Sequence, residues 1–432
     1  MGYITIVAII FGALWLLFAL MLMHYFVFSI IGLFAKKRFP KTETKLRYGI
    51  IISARNEENV IGALLDSIRS NNYPQDKLQV FVVAHNCDDR TAEIAREHGA
   101  TVYEYNNPNE RVLGYAYRFL FNQIKENYGI ESFDGFFIIN ADNILPEEYI
   151  SKMNDAFMAY DKRYAVTSYR NSSNFGSNYM SCLYGIYFLT ACRFEARGRT
   201  LCGCSTRVSG TGYLFPSEYV KDGWEYVTLT EDWEFTADQL AQGRKVMYCD
   251  DAEFFDEQPT TMKVMFRQRL RWARGHTIVF FTRFKKLVKG IFTSKKKGGQ
   301  DNKFSQYDIA ASIMPLGVMG VILWILQLIC LAISPVFGYD PAKVWAIYGI
   351  FSALSFVISY LLTFLGGLVL MLVERERIPR VSVGKRIAAL LLWPFFLLLN
   401  IFLDVIALFV KNLQWKSIPH VGQTNITRDK TK

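Results

Sequence analysis

Residues 266–276 read Phe-Arg-Gln-Arg-Leu-Arg-Trp-Ala-Arg-Gly-His. On a helix, Gln268, Arg271 and Trp272 fall at i, i+3 and i+4 and share one face. A flat aromatic beside a guanidinium and a carboxamide suits a sugar ring and a phosphate ester, and the arginine fork matches phosphate oxygens bidentately. The same stretch also reads as a basic amphipathic helix lying on a membrane surface. Upstream, Thr230-Glu231-Asp232 precedes a helical stretch. A carboxylate there can take the proton of an attacking hydroxyl. The plainer reading makes Asp232 a helix N-cap and Glu231 a solvated first-turn acid. Further upstream, Asn140-Ala141-Asp142 follows the apolar run 136–139. A carboxylate in that place is costly to bury unless it is paired or bound to a metal. Mg2+ or Mn2+ prefers carboxylate, water and phosphate oxygens. Asp142 also reads as a cap for the segment before Pro146.

These side chains need a scaffold, and the preceding residues supply one. Residues 48–53 form a short β-rich apolar run. Residues 56–69 read as an amphipathic helix, with Val60, Ile61, Leu64, Leu65 and Ile68 on one stripe. A breaker follows at 71–74. Strands are expected at 78–84, 100–105 and 135–140, and helices at 91–98 and 112–127. The alternation implies an α/β domain with a Rossmann-like, mostly parallel sheet. Ligands on such sheets bind beyond the carboxyl ends of the strands. His85, Asp88 and Asp142 all lie just past strand ends, which predicts one cleft there. No internal repeat is visible, and the low-complexity stretch is the lysine run at 295–297.

Gln268-Arg269-Leu270-Arg271-Trp272 matches the Gln-x-x-Arg-Trp signature of membrane-embedded family 2 glycosyltransferases, and Thr230-Glu231-Asp232 matches their Thr-Glu-Asp. Cellulose, hyaluronan, chitin and bacterial mixed-linkage β-glucan synthases belong to that group. The resemblance covers roughly residues 48–280. It implies a GT-A-like domain and inverting, metal-dependent transfer from a UDP-sugar to a growing β-glycan. UDP-glucose is the leading donor and a β-glucan, cellulose-like or mixed 1,3;1,4-linked, the leading product. A hyaluronan- or chitin-like product and a single transfer onto a lipid carrier stay open. The resemblance makes Asp232 the general base, beside Thr230 and Glu231. It sets Arg271, with Arg269, against the leaving diphosphate, and Mg2+ or Mn2+ on Asp142. Ser53, Arg55 and Glu57 resemble the first nucleotide loop, and His85 and Asp89 the second. Arg111 stands near a position where the family often carries Lys before Gly, Gln268 joins the donor side, and this chain has Leu113 at that lysine position. Trp272, with Gly210 and Thr211 of the 207–212 loop, would hold the acceptor, although that loop also reads as a plain turn. His85 replaces an Asp that contacts uracil in the family, and Asn140 replaces the first Asp of Asp-x-Asp. The metal role therefore transfers to Asp142 alone. His85, Leu113 and Asn140 also favour a different class, a non-catalytic membrane scaffold on a decayed transferase fold. Intact Thr-Glu-Asp and Gln-x-x-Arg-Trp oppose it.

The chain has 432 residues, 51% of them hydrophobic and 15% aromatic, a share high for a soluble enzyme. The excess is local. Residues 3–35 are nearly free of charge, as are 309–336, 344–373 and 387–410. Each exceeds the roughly 20 residues of a helical span, so four spans are expected. The first is an anchor rather than a signal peptide, because no basic residue precedes it and it is too long. The net charge of +10 concentrates after this span and at 283–303. Basic residues flanking spans mark the cytoplasmic side and attract anionic lipid. The basic runs hug apolar segments and no nucleic-acid motif occurs, so nucleic acid is not an expected partner. The expected partners are the UDP-sugar, the glycan acceptor and membrane lipid, with accessory export proteins compatible. The seven cysteines lack zinc spacing and read as packing residues. The expected organisation is a membrane helix at 1–35, a cytosolic transferase domain at 42–265 and a signature helix with a basic interfacial segment at 266–305. About three spans follow at 306–411 and a tail at 412–432. The location is the plasma membrane, multi-pass, with the catalytic domain cytoplasmic. An odd number of C-terminal spans would export a basic tail, unless Pro394 bends the last segment into a re-entrant path.

Overall fold

The structure is a computed structural model and describes residues 2–293, 302–379, 381–410, 420 and 422. The uncharged N-terminal run forms one helix, α1 (Tyr3–Phe34), whose Leu, Ile and Phe side chains are largely exposed. At about 1.5 Å per residue its length matches a bilayer span.

The alternating region follows as β1 (Tyr48–Ala54), α2 (Ile61–Arg69), β2 (Leu78–His85), α3 (Thr91–Glu97), β3 (Thr101–Tyr105), α4 (Leu113–Asn127), β4 (Gly135–Ile138) and α5 (Tyr149–Ala159). β1 pairs in parallel with β2 and β4, and β2 with β3. Side chains of β1 alternate between two cores. Ile50 and Ile52 pack with α2 and α5, whereas Ile51 packs with Ala116, Leu120 and Phe121 of α4. The helix expected from residue 56 begins five residues later, because residues 57–60 form a turn and Asn56 takes φ +57°. A residue in that left-handed region ends regular structure.

The remaining elements of the domain are β5 (Ala165–Ser172), α6 (Tyr179–Thr190), α7 (Arg197–Leu201), β6 (Tyr213–Pro216), α8 (Glu231–Ala241) and β7 (Val246–Asp256). The seven strands run in the order β3-β2-β1-β4-β6-β5-β7. β6 is antiparallel to both its neighbours, and β5 pairs in parallel with β7. The sheet is thus mostly parallel with one reversed strand, which is the GT-A-like α/β architecture expected. A π-helical turn, Ala191–Ala196, joins α6 to α7.

The C-terminal part is helical: α9 (Met262–Thr293), α10 (Lys303–Ile313), α11 (Leu316–Ala332), α12 (Pro341–Val373) and α13 (Val383–Phe409). Among the described residues α1, α12 and α13 are each long and apolar enough to cross a membrane. The single span expected at 309–336 is not one helix. α10 and α11 meet at 65°. Pro315 has no N–H to continue a helix, and Met314 before it is extended at ψ 139°. α10 is buried against the domain through Asp308, Ile309 and Ala310. α13 runs through Pro394 as one helix, so the re-entrant path is not formed. The signature helix starts at Met262, four residues before the expected boundary. The lysine run at 295–297 and most of the 412–432 tail, including Trp415, lie outside the described residues.

Candidate active site

The carboxyl ends of β1, β2, β4, β5 and β7 open on one cleft, closed on its far side by the start of α8 and by α9. The cleft holds both Asp142 and Asp232, with Gln268, Arg271 and Trp272 facing them. Two motifs about ninety residues apart in sequence therefore share one wall of space, as strand-end placement requires.

Thr-Glu-Asp opens α8. The helix begins at Glu231 with Thr230 in the N-cap position, so Asp232 is not the cap. The Thr230 hydroxyl is buried and finds no hydrogen-bond partner among the described residues. α9 passes at backbone distance there, since a side chain at Gly275 would collide with Thr230. Glu231 is buried. Burial, then the neighbouring Asp232, pushes its carboxyl up to about 8. Burial also raises Asp232, to about 6, opposed by the Trp233 backbone N–H and by Arg271. The Trp233 N–H donates to Asp232 Oδ1 at 2.9 Å. The pair shares one proton near neutrality, and Asp232 is the member that ionises first. Arg271 is anchored under the same loop by a 2.7 Å bond from Nη1 to the Leu229 carbonyl. Gly210, at φ +76°, brings its backbone beside Asp232.

At the opposite end, the Thr211 hydroxyl accepts from the Asn140 N–H at 2.9 Å and donates to Asn143 Oδ1 at 2.5 Å. Thr211 thus buttresses the 140–143 turn, and its hydroxyl is committed there. Asn143 Nδ2 donates to Asp142 Oδ1 at 3.1 Å. Burial raises the Asp142 carboxyl. His420 Nδ1 lies 3.8 Å from Asp142 Oδ2 and 3.9 Å from Glu257 Oε2. Burial, then Asp142, Asp89 and Glu257, lifts Glu57 to about 9, and its Oε2 is buried without a hydrogen-bond partner. Crowded carboxylates with an unmet oxygen are a fit for a cation. Among the described residues no three His, Cys, Asp or Glu side chains are preassembled at metal-ligand geometry. An ion there would need oxygens from a ligand.

Residues 46–275 match the sequence pattern described as "Glycosyltransferase like family 2", which is more than half of the chain. The chain belongs to this family. The transferase is 25% identical over 278 residues to a probable glycosyltransferase, YdaM, of Bacillus subtilis (strain 168), covering 61% of this chain and 63% of that one. It is 24% identical over 279 residues to a poly-beta-1,6-N-acetyl-D-glucosamine synthase of Staphylococcus epidermidis, covering 62% and 66% respectively. The match thus spans less than two thirds of these relatives' length. Among solved structures, the mannosyltransferase PcManGT from Pyrobaculum calidifontis, in complex with GDP-Man and Mn2+, superposes over 92% of this chain and 98% of that one. The TM-score is 0.56 at 16% identity, a likeness of fold.

Most residues expected at the transferase site reach the cleft. Ser53, Arg55, Glu57, His85, Arg111, Asn140, Asp142, Gly210, Thr211, Thr230 and Glu231 line it together with Asp232 and the α9 residues. Asp89 does not. Its carboxylate accepts from the Thr91 N–H and hydroxyl at 3.0 and 2.6 Å and from the Glu58 N–H at 3.2 Å, so it staples the turn behind the wall. His85 is held neutral: burial, then Arg55, pushes its ring down to about 4. Its Nε2 faces the Glu110 carbonyl at 2.7 Å and its Nδ1 faces Arg55 Nη2 at 2.9 Å, which assigns the proton to Nε2. Arg269 is also turned away from the cleft interior. Nη1 donates to the Phe396 carbonyl at 2.9 Å, the other amino group meets Asn400, and the guanidinium lies 3.8 Å from the Phe396 ring centre. It docks α9 on α13, so diphosphate neutralisation cannot be assigned to it. One residue from Gln268 is a 100° turn, which puts Arg269 on a different face.

Several lining residues were not foreseen. Arg170 on β5 pairs with Asp256 and donates to the Ser209 carbonyl at 2.9 Å. Asp256 and Glu257 follow Phe254-Phe255 at the end of β7, the same apolar-then-acid pattern that marked Asp142, and could have been found by it. Tyr187 and Phe188 flank Trp272 at 6.2 and 6.3 Å between ring centres. No lining residue comes from α10 to α13.

Proposed function

We propose that this family 2 transferase is membrane-integrated and moves a sugar, with inversion, from a UDP-sugar to a growing β-glycan, acting processively. Asp232 would take the proton of the acceptor hydroxyl as it attacks the anomeric carbon. Its carboxyl is raised into the range useful for a base near neutral pH. Glu231, protonated beside it, keeps the local charge at one. Arg271 would face the diphosphate as it leaves. Trp272, with Tyr187 and Phe188, offers aromatic faces to the C–H surface of a sugar ring. Ser53, Arg55, Glu57, His85 and Arg111 would surround the nucleotide.

Asp142 would hold Mg2+ or Mn2+ together with the donor's diphosphate, and the ion would neutralise charge on the leaving group. The mannosyltransferase of similar fold, solved with GDP-Man and Mn2+, supports the use of a divalent ion with a nucleotide-sugar donor. The observation that carries the whole reading is the convergence of Asp232, Asp142 and the Gln268/Arg271/Trp272 face on one cleft.

UDP-glucose and a β-glucan product follow from the signature resemblance. The poly-beta-1,6-N-acetyl-D-glucosamine synthases among the relatives favour a second donor, UDP-N-acetylglucosamine. The transferase domain at 42–265 and the signature helix would lie in the cytoplasm. α1, α12 and α13 would cross the plasma membrane, with the α10–α11 pair as a broken span. The membrane helices would guide the product outward. Accessory export proteins would fit the outward path of the product. The test is incubation of the purified full chain in lipid nanodiscs with labelled UDP-glucose, UDP-N-acetylglucosamine or GDP-mannose, followed by linkage analysis. Long β-linked product from a UDP-sugar is expected. No transfer from any donor by protein that binds UDP and Mn2+ would mark a scaffold instead.

A further inference from the structure

α1 carries one histidine in an otherwise uncharged 32-residue helix. That residue, His24, does not face outward: its side chain is 10% exposed. Both its ring nitrogens face oxygen acceptors, the Met21 carbonyl at 3.0 Å and Asp308 Oδ1 of α10 at 3.0 Å. Asp308, fully buried, is gripped by Arg199 of α7 through two bonds of 2.6 and 3.0 Å. Arg199 Nη1 reaches Glu195 Oε2 at 3.0 Å, and the same oxygen meets Arg207 Nη1 at 2.6 Å. The Arg207 guanidinium lies 4.9 Å from the centre of the Trp233 ring. Trp233 follows Asp232 directly and packs on His276 at 4.3 Å. A continuous line of hydrogen-bonded and ion-paired side chains thus runs from α1 to Arg207, which lies over the side chain next to Asp232.

Two further contacts tie α1 to this wall. A side chain at Gly198 would collide with the Phe28 carbonyl, and one at Gly32 with the Arg193 carbonyl. The two backbones therefore touch. The wall helix they fix contains the π-helical turn, whose Glu195 lines the cleft together with Arg199. A buried ionic chain keeps its geometry only while each charge has its partner. Loss of the terminal link lets Asp308 draw Arg199 toward itself and away from Glu195, so that Glu195 shifts onto Arg207 and moves it from its place over Trp233.

We infer that His24 is a positioning residue for the acceptor side of the cleft, acting through Asp308, Arg199 and Glu195 on Arg207 and Trp233. The inference rests on the reading above that Asp232 and Trp272 face the acceptor. It makes the N-terminal helix part of the catalytic unit rather than an anchor alone. Donor binding at Asp142 and Glu57 stands outside this chain of contacts.

The test uses the full chain in lipid nanodiscs, with His24→Ala and the conservative His24→Gln, whose amide can still donate to Asp308. Acceptor dependence is measured with cellotetraose and UDP-glucose, and with chitotetraose and UDP-N-acetylglucosamine. His24→Ala is expected to raise the acceptor KM about tenfold while UDP affinity stays within about twofold, and His24→Gln to recover most of the loss. Hydrogen exchange of residues 203–211 should rise in His24→Ala and return in His24→Gln. An unchanged acceptor KM with unchanged exchange overturns the inference. So does a parallel loss of UDP affinity, which marks general loosening. If wild-type protein transfers no sugar, the functional reading fails, and the exchange comparison still decides whether α1 controls the wall.

Discussion

Replacing Asp232 by Asn keeps the shape of the side chain and removes its basicity. Its carboxyl sits near 6 because it is buried, against the lowering pull of the Trp233 N–H and Arg271. With that value about 90% of the base is ionised at pH 7 and about 10% at pH 5, so turnover in the wild type should fall about tenfold between them. The Asn variant should turn over about 10²–10⁴-fold more slowly at pH 7 and lose this acid limb. In barrier terms that is about 3–5 kcal/mol. The stability effect has the opposite sign. A carboxyl whose folded value lies above its unfolded one binds more protons when folded, so stability declines as pH rises through the window from the ordinary carboxylate range to about 6. Asp232→Asn removes that penalty and should melt no lower than wild type at pH 7. Glu231→Gln is the control, because Glu231 is raised further, to about 8, and is already protonated at neutral pH. It should retain activity within about tenfold. Initial rates by UDP release across pH 4.5–8, UDP affinity by titration calorimetry and melting temperatures by scanning calorimetry would measure these effects in the wild type and both variants. Asp232→Asn retaining a tenth of wild-type turnover, or Glu231→Gln losing as much as Asp232→Asn, would refute the assignment.

Chelation with EDTA should abolish transfer and added Mg2+ or Mn2+ restore it. Mn2+ binding without UDP should be weak in the wild type and stronger in Asn140→Asp, as read by electron paramagnetic resonance; equal binding in both would place the ion elsewhere. Trp272→Ala should cripple elongation while UDP affinity holds, and Trp272→Phe should keep part of the activity, so a joint fall of affinity and yield in Trp272→Ala would reduce the residue to a prop of α9. A cysteine placed at Lys289, at the basic end of α9, should resist membrane-impermeant labelling of intact cells, and efficient labelling would overturn a cytoplasmic transferase domain.

What was legible in the sequence is what local chemistry fixes. The strands of β1 to β4 follow from apolar runs bounded by breakers, and the acids at their ends mark the cleft because ligands gather there. The order β4-β6-β5-β7 was not legible, since the reversed β6 returns from a long excursion through α6 and α7. Arg170 and Asp256 meet only because β5 and β7 pair, with a register shift between Ser168 and Tyr169 that sets their ends level. The broken span was legible in part. Pro315 stands in the apolar run, but hydropathy averages across it, and the burial of Asp308 depends on Arg199, more than a hundred residues away. The signature helix shows the limit most clearly. Periodicity puts Gln268, Arg271 and Trp272 on one face, with Arg267 a turn before Arg271 and also lining the cleft, and leaves Arg269 to another, yet which arginine meets a ligand depends on what packs behind it. α13 supplies carbonyls for Arg269 and Arg274, and the Leu229 carbonyl holds Arg271 beneath the Thr-Glu-Asp loop. Gly275 is what permits this: with any side chain at 275, α9 could not approach Thr230, and Arg271 would stand too far from Asp232 to stabilise its carboxylate.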